Sequence, residues 1–412
     1  MILAVFIGVL LLLQGASPFT NKQCIRNNDD RRLRELAAEP RAGIGQALLN
    51  VALKSPVWAY VLVPQARASI VKTAEENDIP WTKAKTWLKS HKGAPWNDEH
   101  RRVEVESEAE YPEYYRRSFH AYEDGNLSYD AAIEQELASR SIGARNFPAY
   151  GERGEDVFRD AFDIGLSKLG AQVKSNDDGS AMVVDFGCGT GTSTRRLAKQ
   201  YPGATRLVGI DLSPYFIDVG TTLLKLAPNA VGIGEDGQEG WITSIDADDR
   251  IDLRQGDVAR TGLPDDSVSV VNLSLVMHEL PVSAAKDVVD EAFRILQPGG
   301  QMWISEMDFE SPAYAAQREN AMLFSLLRAT EPYLDEYADS MEEMREYITE
   351  LFGELKITAA TGRHYALIAT KLSREDKGEG VIEDTRFKPD GSYGLDDTHL
   401  RPWESKQTDI RK

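Results

Sequence analysis

The stretch Val183-Val184-Asp185-Phe186-Gly187-Cys188-Gly189-Thr190-Gly191 constrains this chain more than any other. Two β-branched apolar residues lead into an acid, and the acid leads into three alternating glycines. This pattern predicts a buried parallel strand, a tight turn and a helix that starts through Thr192 and Ser193. Glycine belongs where the backbone turns sharply or lets a ligand approach closely. A second apolar run, Leu207 to Ile210, ends in Asp211, twenty residues past Gly191. Ribose hydroxyls need an acceptor of this kind at the end of a second strand. The two strands together predict a site for a nucleoside cofactor.

From Ala181 onward, strand-like and helix-like segments alternate, as a parallel sheet requires. Strands are expected at Met182–Phe186, Arg206–Asp211, Ile251–Gln255, Val268–Leu273 and Gln301–Ser305. Between them lie helical patterns, a Gly- and acid-rich insertion over 228–249, and a stop at Gln297-Pro298-Gly299-Gly300. Two last strands, Leu355–Ala360 and Tyr365–Leu372, join at Thr361-Gly362-Arg363 as a hairpin. The expected fold is α/β: a Rossmann-like doubly wound sheet, mostly parallel, with a terminal antiparallel hairpin strand and an α-helical region before it.

The chain has 412 residues, enough for more than one domain. Residues 1–38 read as a leader, 39–110 as a helical module and linker, 111–170 as a helical lid, 171–373 as the cofactor-binding domain and 374–412 as a disordered tail. Ile2 to Leu13 is apolar but shorter than the ~20 residues of a membrane span. Gly15-Ala16-Ser17 and then Phe19 resemble the bipartite leaders of complex plastids, so plastid import through a signal peptide is expected. Secretion, a membrane anchor or a misplaced start are the alternatives, and any membrane association would come through this leader alone.

The net charge of -19 opposes a nucleic-acid backbone as the main partner. The two cysteines, Cys24 and Cys188, make no disulfide framework, and Cys188 reads as a small filler of the turn rather than a nucleophile. No His/Cys group has zinc-ligand spacing. Six of the twelve residues from Tyr111 to Tyr122 are aromatic or histidine. They read as core packing, with lining of a substrate site as the alternative.

Nicotinamide and flavin sites share the spacing G-x-G-x-x-G. Here the third glycine comes one residue early, and Thr192 stands where it would be. Asp185, two residues before the first glycine, suits a cationic amino-acid moiety, which a dinucleotide lacks. Asp257, after strand three, suits an adenine amino group, with Val258 packing on the ring. Asp185 to Gly191, Asp211, Asp257-Val258 and Pro298-Gly299-Gly300 resemble, in this order, the motifs of class I S-adenosylmethionine-dependent methyltransferases, closest in flavour to the ubiquinone and menaquinone group. The resemblance spans about 155–372. A looser likeness links Phe119 to Tyr122, Gly125 to Leu127 and Gly143 to Pro148 with uncharacterised methyltransferase-like proteins of plants and algae.

The resemblance implies S-adenosylmethionine as cofactor, a small-molecule methyl acceptor and no nucleic-acid substrate. The expected cofactor-binding residues are Asp185, Gly187, Gly189, Gly191, Asp211, Leu212, Asp257, Val258 and Asn272. In-line displacement from a sulfonium needs alignment and desolvation, and a base only where the acceptor must lose a proton. The expected catalytic residue is His278, after strand four, with Glu279 beside it; capping or packing is the other role it could have. Glu306 and Asp308, after strand five, are expected to be solvated. A cofactor-binding protein without catalysis and a nicotinamide oxidoreductase are the rival functions.

Overall fold

The computed structural model describes residues 63–90, 111–120, 122–176, 178–225, 248–319, 330–373 and 380–394. The leader, residues 39–62, most of the linker, the 226–247 insertion and the last residues lie outside these. Before the sheet come α1 (Val63–Glu76), α2 (Trp81–Ser90), α3 (Tyr129–Asn146) and α4 (Gly154–Lys168). The alternating part follows as β1 (Met182–Phe186), α5 (Thr192–Gln200), β2 (Arg206–Asp211), α6 (Pro214–Lys225), β3 (Ile251–Gln255), β4 (Val268–Ser274), α7 (Val282–Ile295) and β5 (Leu296–Met307). It closes with α8 (Pro312–Glu319), α9 (Leu334–Asp339), α10 (Met341–Phe352), β6 (Gly353–Ala359), β7 (His364–Lys371) and β8 (Val381–Asp384).

The eight strands form one sheet in the order β3-β2-β1-β4-β5-β7-β6-β8. Strands β1 to β5 pair parallel, β7 runs antiparallel to both β5 and β6, and β8 pairs parallel to β6. The expected doubly wound sheet with its terminal hairpin is therefore present. Its strand order reverses between β1 and β4, which is where ligands bind in open α/β sheets, beyond the carboxyl ends of the strands.

Alternating side chains explain why both faces are covered. Val184, Phe186, Val208, Val271 and Ile304 pack with Val288 and Ile295 of α7 and with Ile348 and Phe352 of α10. Val183, Leu207, Val270 and Trp303 point to the other side, against Phe158 and Phe162 of α4 and Leu197 of α5. The earliest helices share a third cluster. Ile79, Trp81 and Leu88 meet Ile133 and Leu137 of α3 and Tyr215 and Phe216 of α6. Ser128 caps α3 as expected, its hydroxyl accepting from Ala131 N at 3.2 Å. No helix among the described residues is long and apolar enough to cross a membrane.

Two sequence expectations change. The Gln297-Pro298-Gly299-Gly300 segment does not only stop a helix; it begins β5, with a shift in register against β4 between Val268 and Val270. The tail is not disordered throughout. Beyond β8, Arg386 is 2% exposed, and its guanidinium reaches Asp384 Oδ2 (2.7 Å), Glu310 Oε2 (2.7 Å) and Asp308 Oδ1 (3.1 Å). A polar, aliphatic-poor segment gives no hydrophobic signal, yet one buried cation among carboxylates is enough to dock it.

Candidate functional site

The glycine turn sits at the carboxyl end of β1. Gly187, Gly189 and Gly191 all have positive φ (66°, 55° and 85°), a region that side chains rarely adopt. A Cβ at Gly187 would lie 2.7 Å from a methyl of Val276, and one at Gly189 would lie 1.9 Å from the Gln135 amide nitrogen. The turn is thus clasped by the loop after β4 on one side and by α3 on the other.

Every backbone N–H from Gly187 to Gly191 already has an acceptor. Gly187 and Cys188 donate to Ile210 O (2.8 and 3.1 Å), and Gly191 donates to Cys188 O (2.9 Å). Gly189 donates to Asp211 Oδ2 (2.9 Å) and Thr190 to Gln135 Oε1 (2.7 Å). A pyrophosphate-binding turn holds its anion with free N–H groups at the helix start. These five are engaged within the protein.

The carboxylates around the turn are held by neutral groups. Asp185 is 1% exposed. Its Oδ2 accepts from the hydroxyls of Ser193 and Thr194, each at 2.6 Å, and its Oδ1 from Asn272 Nδ2 at 2.7 Å. Asp185 thereby ties β1 to β4 and to the first turn of α5, and burial raises its pKa despite the three donors. Its expected contact with an amino-acid moiety has to use what lone-pair capacity these donors leave. Asp211 Oδ1 accepts from Ser213 N (2.8 Å) and, at a long 3.4 Å, from the Tyr115 hydroxyl. Burial pushes Asp211 up to about 6. Among the described residues Asp257 Oδ1 accepts only from Ala259 N (2.9 Å), and Val258 is half-buried against the core. Leu212 is half-buried, and its carbonyl accepts from Gln255 Nε2 at 3.5 Å. This donor set, anionic and uncompensated by direct ion pairs at Asp185 and Asp211, fits a cationic nucleoside. The Cys188 thiol is buried and its pKa is raised by that burial, so it fills the turn and offers no nucleophile.

After β4 the chain turns sharply. Leu275 has φ 59°, an uncommon value for a leucine, and the next residues form a short 3-10 turn, Met277–Glu279. His278 is 7% exposed, and its Nδ1 lies 2.9 Å from Glu306 Oε1. Burial alone would lower the imidazole pKa. The Glu306 carboxylate, aided by Glu331 and Glu279, outweighs it and lifts His278 to about 10. A protonated ring has no free electron pair, so the shift weighs toward donation and against the base role expected of His278. What it can do is donate. Its sequence neighbour Glu279 is not its partner, since a turn residue and the next one point apart. Glu306 and Asp308 are fully buried rather than solvated. Glu306 accepts from His278 and from Met307 N (2.7 Å), and Asp308 from Arg386 and from the Tyr393 hydroxyl (2.6 Å). Both lie at the end of a central strand, where neighbours on either side cover them.

The aromatic segment before α3 serves both readings. Tyr114 packs edge-on against Tyr333, and Tyr111 stacks on Tyr115, which reaches Asp211. His120 Nε2 lies 3.1 Å from Glu331 Oε1 and 3.8 Å from Glu279 Oε1. Helix α3 adds Gln135 over the turn and Glu136, whose Oε2 accepts from Arg195 Nη2 at 3.0 Å. Gln135 had no signal in the sequence, because a glutamine mid-helix reads as a solvated face.

Residues 184–304 match the family described as "Methyltransferase domain". A demethylmenaquinone methyltransferase of Lactiplantibacillus plantarum is 28% identical over 123 residues, 30% of this chain and 44% of that protein. A trans-aconitate 2-methyltransferase of Azoarcus is 29% identical over 143 residues, 34% of this chain and 46% of that protein. The chain thus spans about half the length of the curated relatives it matches. A solved S-adenosylmethionine-dependent methyltransferase from Aquifex aeolicus superposes with a TM-score of 0.37 at 15% identity, over 60% of this chain and 99% of that one. The family match falls on β1 through β5, the segment that carries the glycine turn and its carboxylates, and so the chain carries a class I S-adenosylmethionine-dependent methyltransferase domain.

Proposed function

We propose that the protein transfers the methyl group of S-adenosylmethionine to a small-molecule acceptor. One observation carries this reading: a left-handed glycine turn with all its N–H groups engaged, ringed by Asp185 and Asp211, with the buried His278–Glu306 pair at the adjoining strand end. Bound at this edge, S-adenosylmethionine supplies a methyl carbon made electrophilic by a sulfonium. The chain's own residues do the rest. Asp211 would accept from ribose hydroxyls, Asp257 from the adenine amino group, and Asp185 and Asn272 would underpin the turn beneath the amino-acid moiety. Gln135 and Tyr115 close over the turn and exclude water, which strengthens each electrostatic contact inside. The His278 imidazolium, anchored through Nδ1, would hold an acceptor oxygen by donating from Nε2.

An acceptor of metabolite size is supported by the relatives named for demethylmenaquinone and trans-aconitate. The acidic chain supports the same choice over nucleic acid. Import into a plastid through residues 1–38 belongs to the proposal as well, and the leader sequence alone supports it. The test is to incubate the protein with methyl-labelled S-adenosylmethionine and a small-molecule extract, and in parallel to titrate S-adenosylhomocysteine and NADH. Label in a metabolite and binding of S-adenosylhomocysteine alone are expected. Binding of NADH in its place would sink the reading.

A further inference from the structure

Resting on the methyl-transfer reading, we infer that Glu279 takes the acceptor's proton, and that His120, fixed by Glu331, carries it out to solvent. The inference starts from which carboxylate at this edge has room to accept. Asp185, Asp211 and Glu306 each accept three hydrogen bonds already. Glu279 accepts none from the described residues; its only polar neighbour within ion-pair reach is His120, at 3.8 Å. A base needs an unengaged lone pair that can be reached: the unpartnered Glu331 oxygen is buried, Asp257 lies beyond β3, and Glu279 is both unengaged among the described residues and part-exposed beside the glycine turn.

Its position is equally specific. Glu279 N donates to Val276 O at 3.0 Å, and Val276 is the residue that packs on Gly187. One short turn therefore links the glycine turn directly to this carboxylate. The side chain is 26% exposed, against 0% for Glu306 and 8% for His278, so it is reached from the open side of the edge. Above it stands His120, whose side chain is 42% exposed. His120 has φ 49° and its backbone N donates to Thr330 O at 3.1 Å, which fixes an otherwise strained residue in place. Glu331 accepts from its ring, and the other Glu331 oxygen is buried with no hydrogen-bond partner among the described residues. This contact holds the His120 ring over Glu331 and favours its charged form.

The chemistry balances. The acceptor's X–H bond breaks and its proton joins a Glu279 oxygen. The freed electron pair bonds to the methyl carbon as the carbon–sulfur pair returns to sulfur. Glu279 then passes the proton to His120 when that ring is neutral, and His120 releases it to water. The groups facing Glu279 are His120, His278, Glu331, Asp211 and Tyr115. Burial, with Glu331 and Asp211, lifts the Glu279 carboxyl to about 7, against the pull of His120 and His278. A carboxylate of that strength is matched to proton transfer near neutral pH. Glu279 is thus the catalytic residue, and His120 and Glu331 are positioning residues.

The test compares the full-length wild type with Glu279→Gln, Glu279→Asp, His120→Gln and His278→Asn. Labelled-methyl transfer into the extract is followed across pH, with S-adenosylhomocysteine affinity measured for each. Glu279→Gln is expected to slow transfer by roughly 100-fold or more and to erase the acidic limb of the pH profile, with S-adenosylhomocysteine affinity unchanged. Glu279→Asp should recover part of the rate and keep the limb, which separates a lost base from a damaged fold. His120→Gln should slow transfer by about 10-fold and shift the limb. In the cofactor-free protein, the His120 imidazole titration followed by NMR should move down by ~1 unit in Glu279→Gln or Glu331→Gln. Near-normal transfer by Glu279→Gln, or an unmoved His120 titration, would overturn the assignment. A wild type that binds S-adenosylhomocysteine but labels no small molecule would instead defeat the methyl-transfer reading itself, and this assignment with it.

Discussion

Asp185 at the end of β1 and Asp308 just beyond β5 are both buried carboxylates at the same edge of one sheet, and they are held in opposite ways. Asp185 has two hydroxyls and an amide. Asp308 has the Arg386 guanidinium at 3.1 Å and a tyrosine hydroxyl. Burial raises the pKa of both. The difference is what happens to the charge. Among the described residues no cation forms an ion pair with Asp185, and the guanidinium of Arg195, in the first turn of α5, bonds the Thr190 carbonyl instead. At the far end Arg386 cancels the charge of Asp308, and the same contact ties the tail to the segment after β5. One part of this edge is open to a ligand, the other is closed by the chain itself.

The largest break in this contrast is Arg386→Met. It leaves Asp308 buried without its cation, and is expected to cost about 3–5 kcal/mol in denaturant unfolding. Affinity for S-adenosylhomocysteine should stay within about twofold, since the stability and cofactor effects sit at different ends. An equal loss of both would merge the two regions into one.

Glu306 lies between the extremes, because its partner His278 is a cation that can titrate. The folded pKa of His278, about 10, lies above its ordinary 6.5. The pair's stability is therefore fully present below pH 6.5 and is lost as pH rises through about 10. His278→Asn should cost about 3 kcal/mol at pH 7 and flatten the fall in stability on the alkaline side. A variant whose melting temperature keeps the wild-type alkaline slope would show that other groups set it.

Asp185→Ala sharpens the comparison from the binding side. It removes a shared acceptor from Ser193, Thr194 and Asn272, for about 2–3 kcal/mol of stability. Unlike Arg386→Met, it should weaken S-adenosylhomocysteine binding at least tenfold in calorimetry, because β1, β4 and the turn come apart together. Gln135→Ala is the mildest. It frees the Thr190 N–H and hydroxyl and should cost ~1 kcal/mol. It should also speed hydrogen exchange at Thr190, while unchanged exchange there would mean that α3 does not latch the turn.

The glycine turn and the strand-end positions of Asp185, Asp211 and Asp257 were legible, because left-handed turns and the ends of apolar runs leave local signatures. The position of His278 after β4 was legible, but its pairing was not. Charge state depends on Glu306, 28 positions away in the chain, and no spacing rule reports it. Glu306 and Asp308 read as solvated because acids usually are, and the tail read as disordered for want of aliphatic residues. Their burial comes from β7, β8 and Arg386, which assemble only when the hairpin folds back. Gln135 left no trace at all.

The sequence by itself determined the mostly parallel sheet, its terminal hairpin and the glycine turn after β1, since these follow from apolar periodicity and from where only glycine can turn. Tertiary structure decided the chemistry at the edge: which carboxylate is capped by hydroxyls, which by an arginine, which by a histidine, and which one, Glu279, is left open. The reason is physical. Periodicity and backbone conformation are local properties, whereas desolvation and pairing of a charge depend on everything brought within a few ångströms of it.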